Sequence, residues 1–133
     1  RSQRLLLTWL IETPALFEKI EGIITADDFV ENLYHQVAQM VFDGHREGNL
    51  NPAAILSRFI NDEDQYKEVA ALFNASLKES LNNEEQKKAF SETVMKVRKN
   101  SLDVASRNAK DITQLQEIIR QQAALKQLHI SLD

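Results

Sequence analysis

Three histidines are the side chains in this 133-residue sequence whose type points most directly to metal or acid–base chemistry. They are His35, His45 and His129. His35 and His45 are ten residues apart on one predicted helix. At roughly 100° per residue this spacing turns them about 280° from each other, so they cannot share a metal ion. The sequence also has no His-Glu-x-x-His pattern, so all three are predicted to be surface or rim histidines.

Two acidic groups, 27–28 and 62–64, could in principle bind a cation or transfer protons. Each begins a predicted helix, where the helix dipole favours carboxylates without any further role. The sequence has no glycine-rich phosphate loop and no nucleophile elbow. It also has no cysteine, which excludes disulfides and thiolate ligands. We therefore predict no catalytic residue, no metal ligand and no cofactor in this segment.

The elements that carry these residues are predicted to be helices throughout. Three glycines and two prolines are few for this length, and the apolar residues recur at helical spacing. The pattern predicts an all-α fold, a helical bundle followed by a C-terminal helical hairpin. Within the bundle, the predicted helices cover residues 2–12, 13–22 and 25–47, with two more beginning at 51 and 61.

A sixth helix is predicted to begin at Asn82 or Asn83 and to end at a corner between Asn108 and Asp111, where Asp111 or Asn108 can cap a last helix. Short polar residues at 100–101 predict a kink that lets the hairpin swing. On this basis the sequence divides into a bundle subdomain, residues 1–99, and a hairpin subdomain, residues 100–133.

The last predicted helix is apolar on more than one face. Two helices alone form little core, and isolated helices are marginal in water. Either the hairpin folds back on the bundle, or part of its apolar surface binds another molecule. The residues concerned are Leu115, Ile118, Ile119, Leu125, Leu128 and Ile130.

Charge is distributed unevenly. The net charge is −4, with −6 over residues 1–81 (seven basic against thirteen acidic) and +2 over residues 82–133 (nine against seven). A basic run between Lys96 and Lys110 could contact phosphates, which leaves a DNA-binding module as an alternative. No aromatic residue interleaves that run, so it lacks a stacking platform for single strands. Direct nucleic-acid binding is therefore predicted to be weak or absent.

The chain has no apolar run near the ~18 residues that a membrane span needs, and no signal peptide. This predicts a cytoplasmic protein. Because the sequence begins with Arg1 rather than methionine, we expect it to be part of a longer parent.

Four stretches, taken in order, resemble the C-terminal helicase-binding domain of bacterial primase, of Firmicutes type. None of them is chemically diagnostic alone, but their order and the helix boundaries match over essentially the whole chain. The stretches are Leu33–Ala38, Glu68–Asn74, Lys96–Asp103 and Ala123–Leu132.

The resemblance implies a domain that docks on the N-terminal domain of the hexameric replicative helicase. Docking would bring primase to the replication fork and modulate primer synthesis and helicase activity. The parent would be a DNA-directed RNA polymerase whose catalytic and zinc-binding regions precede this domain, with no small-molecule substrate or membrane contact here. The helicase's own N-terminal domain shares the fold and is the nearest alternative; a purely structural role in the parent is another.

We expect the terminal hairpin to supply the partner contact, since buried apolar anchors carry most of the energy of an interface. The predicted apolar anchors are Ile119, Leu125, Leu128, Ile130 and Leu132, and the predicted rim residues are Arg120, Lys126 and His129.

Overall fold

The computed structural model describes residues 1–75, 82–128 and 130, and in these residues every regular element is a helix, which confirms the all-α prediction. The α-helices are α1 (Ser2–Glu12), α2 (Asn32–Arg46), α3 (Pro52–Ser57), α4 (Glu63–Asn74), α5 (Asn83–Arg107) and α6 (Ile112–Leu125). Two 3₁₀ helices, Pro14–Ile20 and Ala26–Asp28, lie between α1 and α2.

Helix α1 is the centre of the bundle. It packs against α2, α4 and α5, so the five consecutive residues 6–10 are all buried. Trp9 contacts Phe90 of α5 edge to face, with ring centroids 6.0 Å apart, an arrangement that aromatic pairs favour. The core between these helices also contains Phe29, Val37, Val41, Val69, Leu72, Val94 and Val97.

Capping side chains are present at four of the helix starts that the sequence predicts. A capping side chain satisfies one of the backbone N–H groups that the first turn leaves unpaired. Each accepts a hydrogen bond from the backbone three residues ahead: Asn51 for α3, Asp62 for α4, Asn82 for α5 and Asp111 for α6. Thr13 is different, because its side chain makes no capping bond before the 3₁₀ helix that begins at Pro14.

The prediction of one helix from Thr25 to Glu47 is wrong. Asp28 closes a single turn by accepting a hydrogen bond from the Thr25 amide at 2.8 Å, and the chain is then extended at Phe29. The amide of Glu31 bonds to the Gln3 side chain of α1 at 3.1 Å instead of continuing the turn. Helix α2 therefore begins only at Asn32.

The helical spacing of apolar residues predicts core faces for the helices that begin at 51 and 61, and two residues of these faces lie at the surface. Ile60 is 67% exposed, because α3 ends at Ser57 and the following turn directs this side chain outward. Tyr66 is also exposed, on the first turn of α4. The other described residues of the two faces are buried (Ile55, Phe59 and Val69) or half-buried (Leu56, Ala70 and Phe73), and Leu77 lies outside the described residues.

Helix α5 continues without a break through Asn100 and Ser101, which counts against the predicted kink. It joins the core through Phe90, Val94 and Val97 at its first half, and α6 packs along its second half. The boundary proposed between residues 99 and 100 falls inside this helix. The division into bundle and hairpin subdomains stays a prediction.

None of the helices in the described part of the chain is long and apolar enough to cross a membrane.

Candidate partner-binding surface

The outer face of α6 carries an exposed apolar stripe. Ile112 and Ile119 are 72% and 52% exposed and lie seven residues apart, which places them on the same face two turns from each other. Leu115 and Ile118 are half-buried on the side of α6 that packs against α5. No residue of α6 is fully buried, so this helix contributes more surface than core.

The predicted rim residues Arg120 and Lys126 are exposed beside this stripe. Arg120 donates to the carboxylate of Glu117, one turn earlier, with Nε 3.2 Å from Oε1. The hydrogen bond from Arg120 holds the pKa of Glu117 below its ordinary value, and the same bond raises the pKa of Arg120. The pair lies in solvent, so Arg120 remains accessible to an acidic partner.

The predicted anchors beyond Ile119 face the bundle in this structure. Leu125 and Leu128 are half-buried and line a crevice of about 160 Å³, whose bundle side is formed by Gly22 and Ile23. Ile130 is 8% exposed and belongs to the core. Of the described anchors, Ile130 is therefore covered, Leu125 and Leu128 are partly covered, and Ile119 is exposed. His129 and Leu132 lie outside the described residues.

Ile112 is an exposed residue of this surface that the set of anchors predicted from the sequence does not include. The signal was present in the sequence. Once Asp111 is taken as the N-cap of α6, Ile112 is its first residue and shares a face with Ile119.

One buried ion pair links this end of the molecule to the bundle. Arg98 of α5 donates to Asp28 with Nη1 2.7 Å from Oδ1, and Asp28 is almost fully buried. The other terminal nitrogen of Arg98 donates to Oε1 of Gln121 on α6 at 3.2 Å. One guanidinium thus connects the 3₁₀ turn, α5 and α6.

The basic run lies on an exposed face of α5. Lys96, Lys99 and Arg107 are all exposed there. Lys99 pairs with Asp103 at 2.9 Å, and its hydrogen bond holds the pKa of Asp103 below the ordinary value. Asp103 also accepts from Gln122 of α6 at 3.2 Å. This face is positively charged apart from Asp103.

The two described histidines have structural contacts. Nδ1 of His35 donates to the carbonyl of Ala26 at 3.1 Å, and the ring of His45 stacks on Phe17 with centroids 4.0 Å apart. Among the residues that the structure describes, no three His, Asp or Glu side chains are grouped so that they could bind a metal ion. The predicted absence of a metal or cofactor stays a prediction.

Tyr34 forms a polar cluster with Glu68 and Arg4. Its hydroxyl donates to Glu68 at 2.9 Å, and Arg4 pairs with the same carboxylate oxygen at 2.6 Å. Burial, followed by the hydrogen bond to Glu68, raises the pKa of Tyr34 from 10.0 to about 12.

This raised pKa predicts a loss of stability in strong alkali. Below about pH 10 the Tyr34 hydroxyl is protonated in both the folded and the unfolded chain, so its contribution to the free energy of unfolding is complete. That contribution is lost as the pH rises towards 12. Urea unfolding at several pH values in this window measures it. Tyr34→Phe should lack this component of the pH dependence, and a Tyr34→Phe curve that still parallels the unsubstituted protein would contradict the assignment.

Asp111→Ala is expected to loosen α6 specifically. Asp111 accepts from the Gln114 amide at 2.8 Å, and loss of such a cap costs about 1 kcal/mol. Because no α6 residue is buried, the loss should appear as faster amide exchange within α6 rather than as global unfolding. Asp64→Ala, which removes an exposed acid from the first turn of α4, is the control; equal exchange rates in α6 for both variants would refute the prediction.

Comparisons of the chain with protein-family models, with curated proteins and with solved structures found no match.

Proposed function

We propose that this chain is a non-catalytic helicase-docking domain of a bacterial primase. Its partner is the N-terminal domain of the hexameric replicative helicase, and its docking face is the outer surface of α6. The choice of partner rests on the resemblance of four sequence stretches. The choice of surface rests on the structure of α6.

The observation that carries the proposal is the pair of exposed isoleucines on α6. Monomeric proteins rarely leave large apolar side chains aligned on one face of a helix, and such a stripe beside charged residues is typical of an interaction surface. Ile112 and Ile119 supply the apolar stripe, and Arg120 and Lys126 lie beside it. Helix α6 thus has the composition of a helix that docks on another protein.

Co-elution of the chain with a hexameric replicative helicase in size-exclusion chromatography tests the proposal. A complex is the expected result. Removing residues 100–133 is a poor test, because that deletion also removes Leu102 and Ile130 from the buried interior. Point substitutions on α6 are cleaner, and no complex at micromolar concentrations of both proteins would refute the proposal.

The exposed basic face of α5 favours a second candidate function, DNA binding. Phosphate contacts by Lys96, Lys99 and Arg107 would make the affinity fall steeply with salt, since each contact releases about 0.9 counterion. Titration of double-stranded DNA across a salt series distinguishes the two functions. DNA binding is the better assignment if the unsubstituted chain binds DNA but not helicase, and if the Lys96→Gln/Arg107→Gln variant no longer binds DNA.

A further inference from the structure

The end of the described chain folds back over the bundle. We define the terminal strap as residues 121–128 together with residue 130. Its apolar side chains, Leu125 and Leu128, face the crevice opposite Ile23, and Ile130 reaches the core. The strap therefore covers part of the bundle and, at the same time, conceals its own apolar residues.

The strap is attached to the bundle mainly through its end, because Leu128 packs against the core and Ile130 is buried in it. Before that end no α6 residue is fully buried, and a crevice of about 160 Å³ remains between the strap and the bundle. Two side-chain hydrogen bonds join this part of the strap to α5, from Arg98 to Gln121 and from Gln122 to Asp103, each at 3.2 Å. Arg98 itself is fixed by the nearly buried Asp28, so the strap can leave without disrupting the ion pair behind it. A segment with so little buried apolar contact before its end belongs to the less stable part of a fold.

We propose that the terminal strap is an autoinhibitory cover that lifts from the bundle when the partner docks. Lifting exposes Leu125, Leu128 and Ile130, which then extend the apolar stripe that Ile119 begins. The inference rests on the proposed function and adds a regulatory step to the same surface. Of the four described apolar residues that the sequence marks as anchors, the closed arrangement buries Ile130 and half-buries Leu125 and Leu128.

If the strap covers the anchors, the affinity for helicase depends on the fraction of molecules in which the strap is closed. If only a fraction of molecules is open, the apparent dissociation constant is the intrinsic one divided by that fraction. A substitution that weakens the closed state should therefore tighten binding, which is the opposite of what removing a contact residue does.

Gln121→Ala tests this directly, with Gln39→Ala as its control. Gln121 lies in the strap and accepts a hydrogen bond from Arg98 at 3.2 Å, whereas Gln39 is an exposed glutamine of α2. Gln121→Ala is expected to bind helicase roughly three- to tenfold more tightly, and Gln39→Ala about as the unsubstituted chain does. Equal or weaker binding by Gln121→Ala would overturn the proposal.

A cross-link tests the lifting itself. The sequence has no cysteine, so Ile23→Cys/Leu125→Cys places one reactive pair on opposite sides of the crevice. A cleavable bismaleimide should reduce helicase affinity at least tenfold, and cleavage of the linker should restore it in the same sample. If the affinity for helicase is the same before and after the linker is cleaved, the proposal is overturned.

Hydrogen exchange separates the strap from the choice of partner. In the isolated chain, Gln121→Ala should speed amide exchange at Leu125 and Leu128 severalfold relative to Gln39→Ala. Equal exchange rates in the two variants would overturn the proposal that the strap lifts, even if the chain binds helicase. Faster exchange together with no helicase binding by any variant would refute the proposed function and leave a detachable strap without that partner.

Discussion

Arg98→Met is expected to lower the free energy of unfolding by about 2–3 kcal/mol, because it leaves a buried carboxylate without its charge partner. The Asp28 side chain is 5% exposed and the Arg98 side chain 25%. The amide of Thr25 still donates to Asp28 after the change, which keeps the loss below that of an unpaired buried charge. Urea unfolding followed by circular dichroism measures the difference.

The neighbouring Lys99→Met is the matched control. It removes a cation from the same helix, but the Lys99–Asp103 pair is 72% and 36% exposed, and such pairs contribute at most about 1 kcal/mol. A double-mutant cycle with Asp28→Asn isolates the coupling between Arg98 and Asp28, expected at about 1.5 kcal/mol or more. Equal unfolding free energies for Arg98→Met and Lys99→Met would show that the buried pair does not stabilise the fold.

Ile119→Asp is expected to reduce helicase affinity at least about thirtyfold, the equivalent of about 2 kcal/mol, because a carboxylate replaces an apolar anchor at the centre of the stripe. Ile112→Asp, two turns earlier, should act in the same direction. Both side chains are more than half exposed, so the fold should lose no more than about 0.5 kcal/mol. Binding is measured by fluorescence anisotropy with the hexameric helicase.

Ile60→Asp is the control for this loss of affinity. It is the same substitution at an isoleucine that is 67% exposed, in the turn between α3 and α4, away from α6 in the chain. If Ile60→Asp and Ile119→Asp weaken binding equally, the effect is one of charge or stability, and the α6 stripe is not the docking face.

Local signals in the sequence were sufficient for most of the fold. The caps at Asn51, Asp62, Asn82 and Asp111 were predictable because each bond spans only three residues. The break before α2 was not, because it depends on contacts that are remote in sequence. Gln3 reaches Glu31 across 28 residues, and Arg98 reaches Asp28 across 70.

The candidate site was predicted only in part, for a related reason. An apolar excess in α6 can be counted from the sequence, but its division between a covered side and an open side cannot. Leu125 and Ile119 are both large apolar residues of the same helix. Leu125 nevertheless lines the crevice with the bundle, whereas Ile119 is exposed to solvent. That division depends on the rotation of α6 against α5 and on the packing of Leu128 and Ile130 on the core, and both are set by tertiary contacts.

Helix α5 has a mechanical consequence. Its 25 residues form one uninterrupted helix, about 37 Å long at 1.5 Å per residue, with its first half fixed in the core and its second half carrying α6. The part of α5 beyond the fixed half is about 18 Å long, so a tilt of about 10° would move its far end through roughly 3 Å. Small changes of packing around Phe90 and Val94 would therefore be amplified into a change in the reach of Ile112.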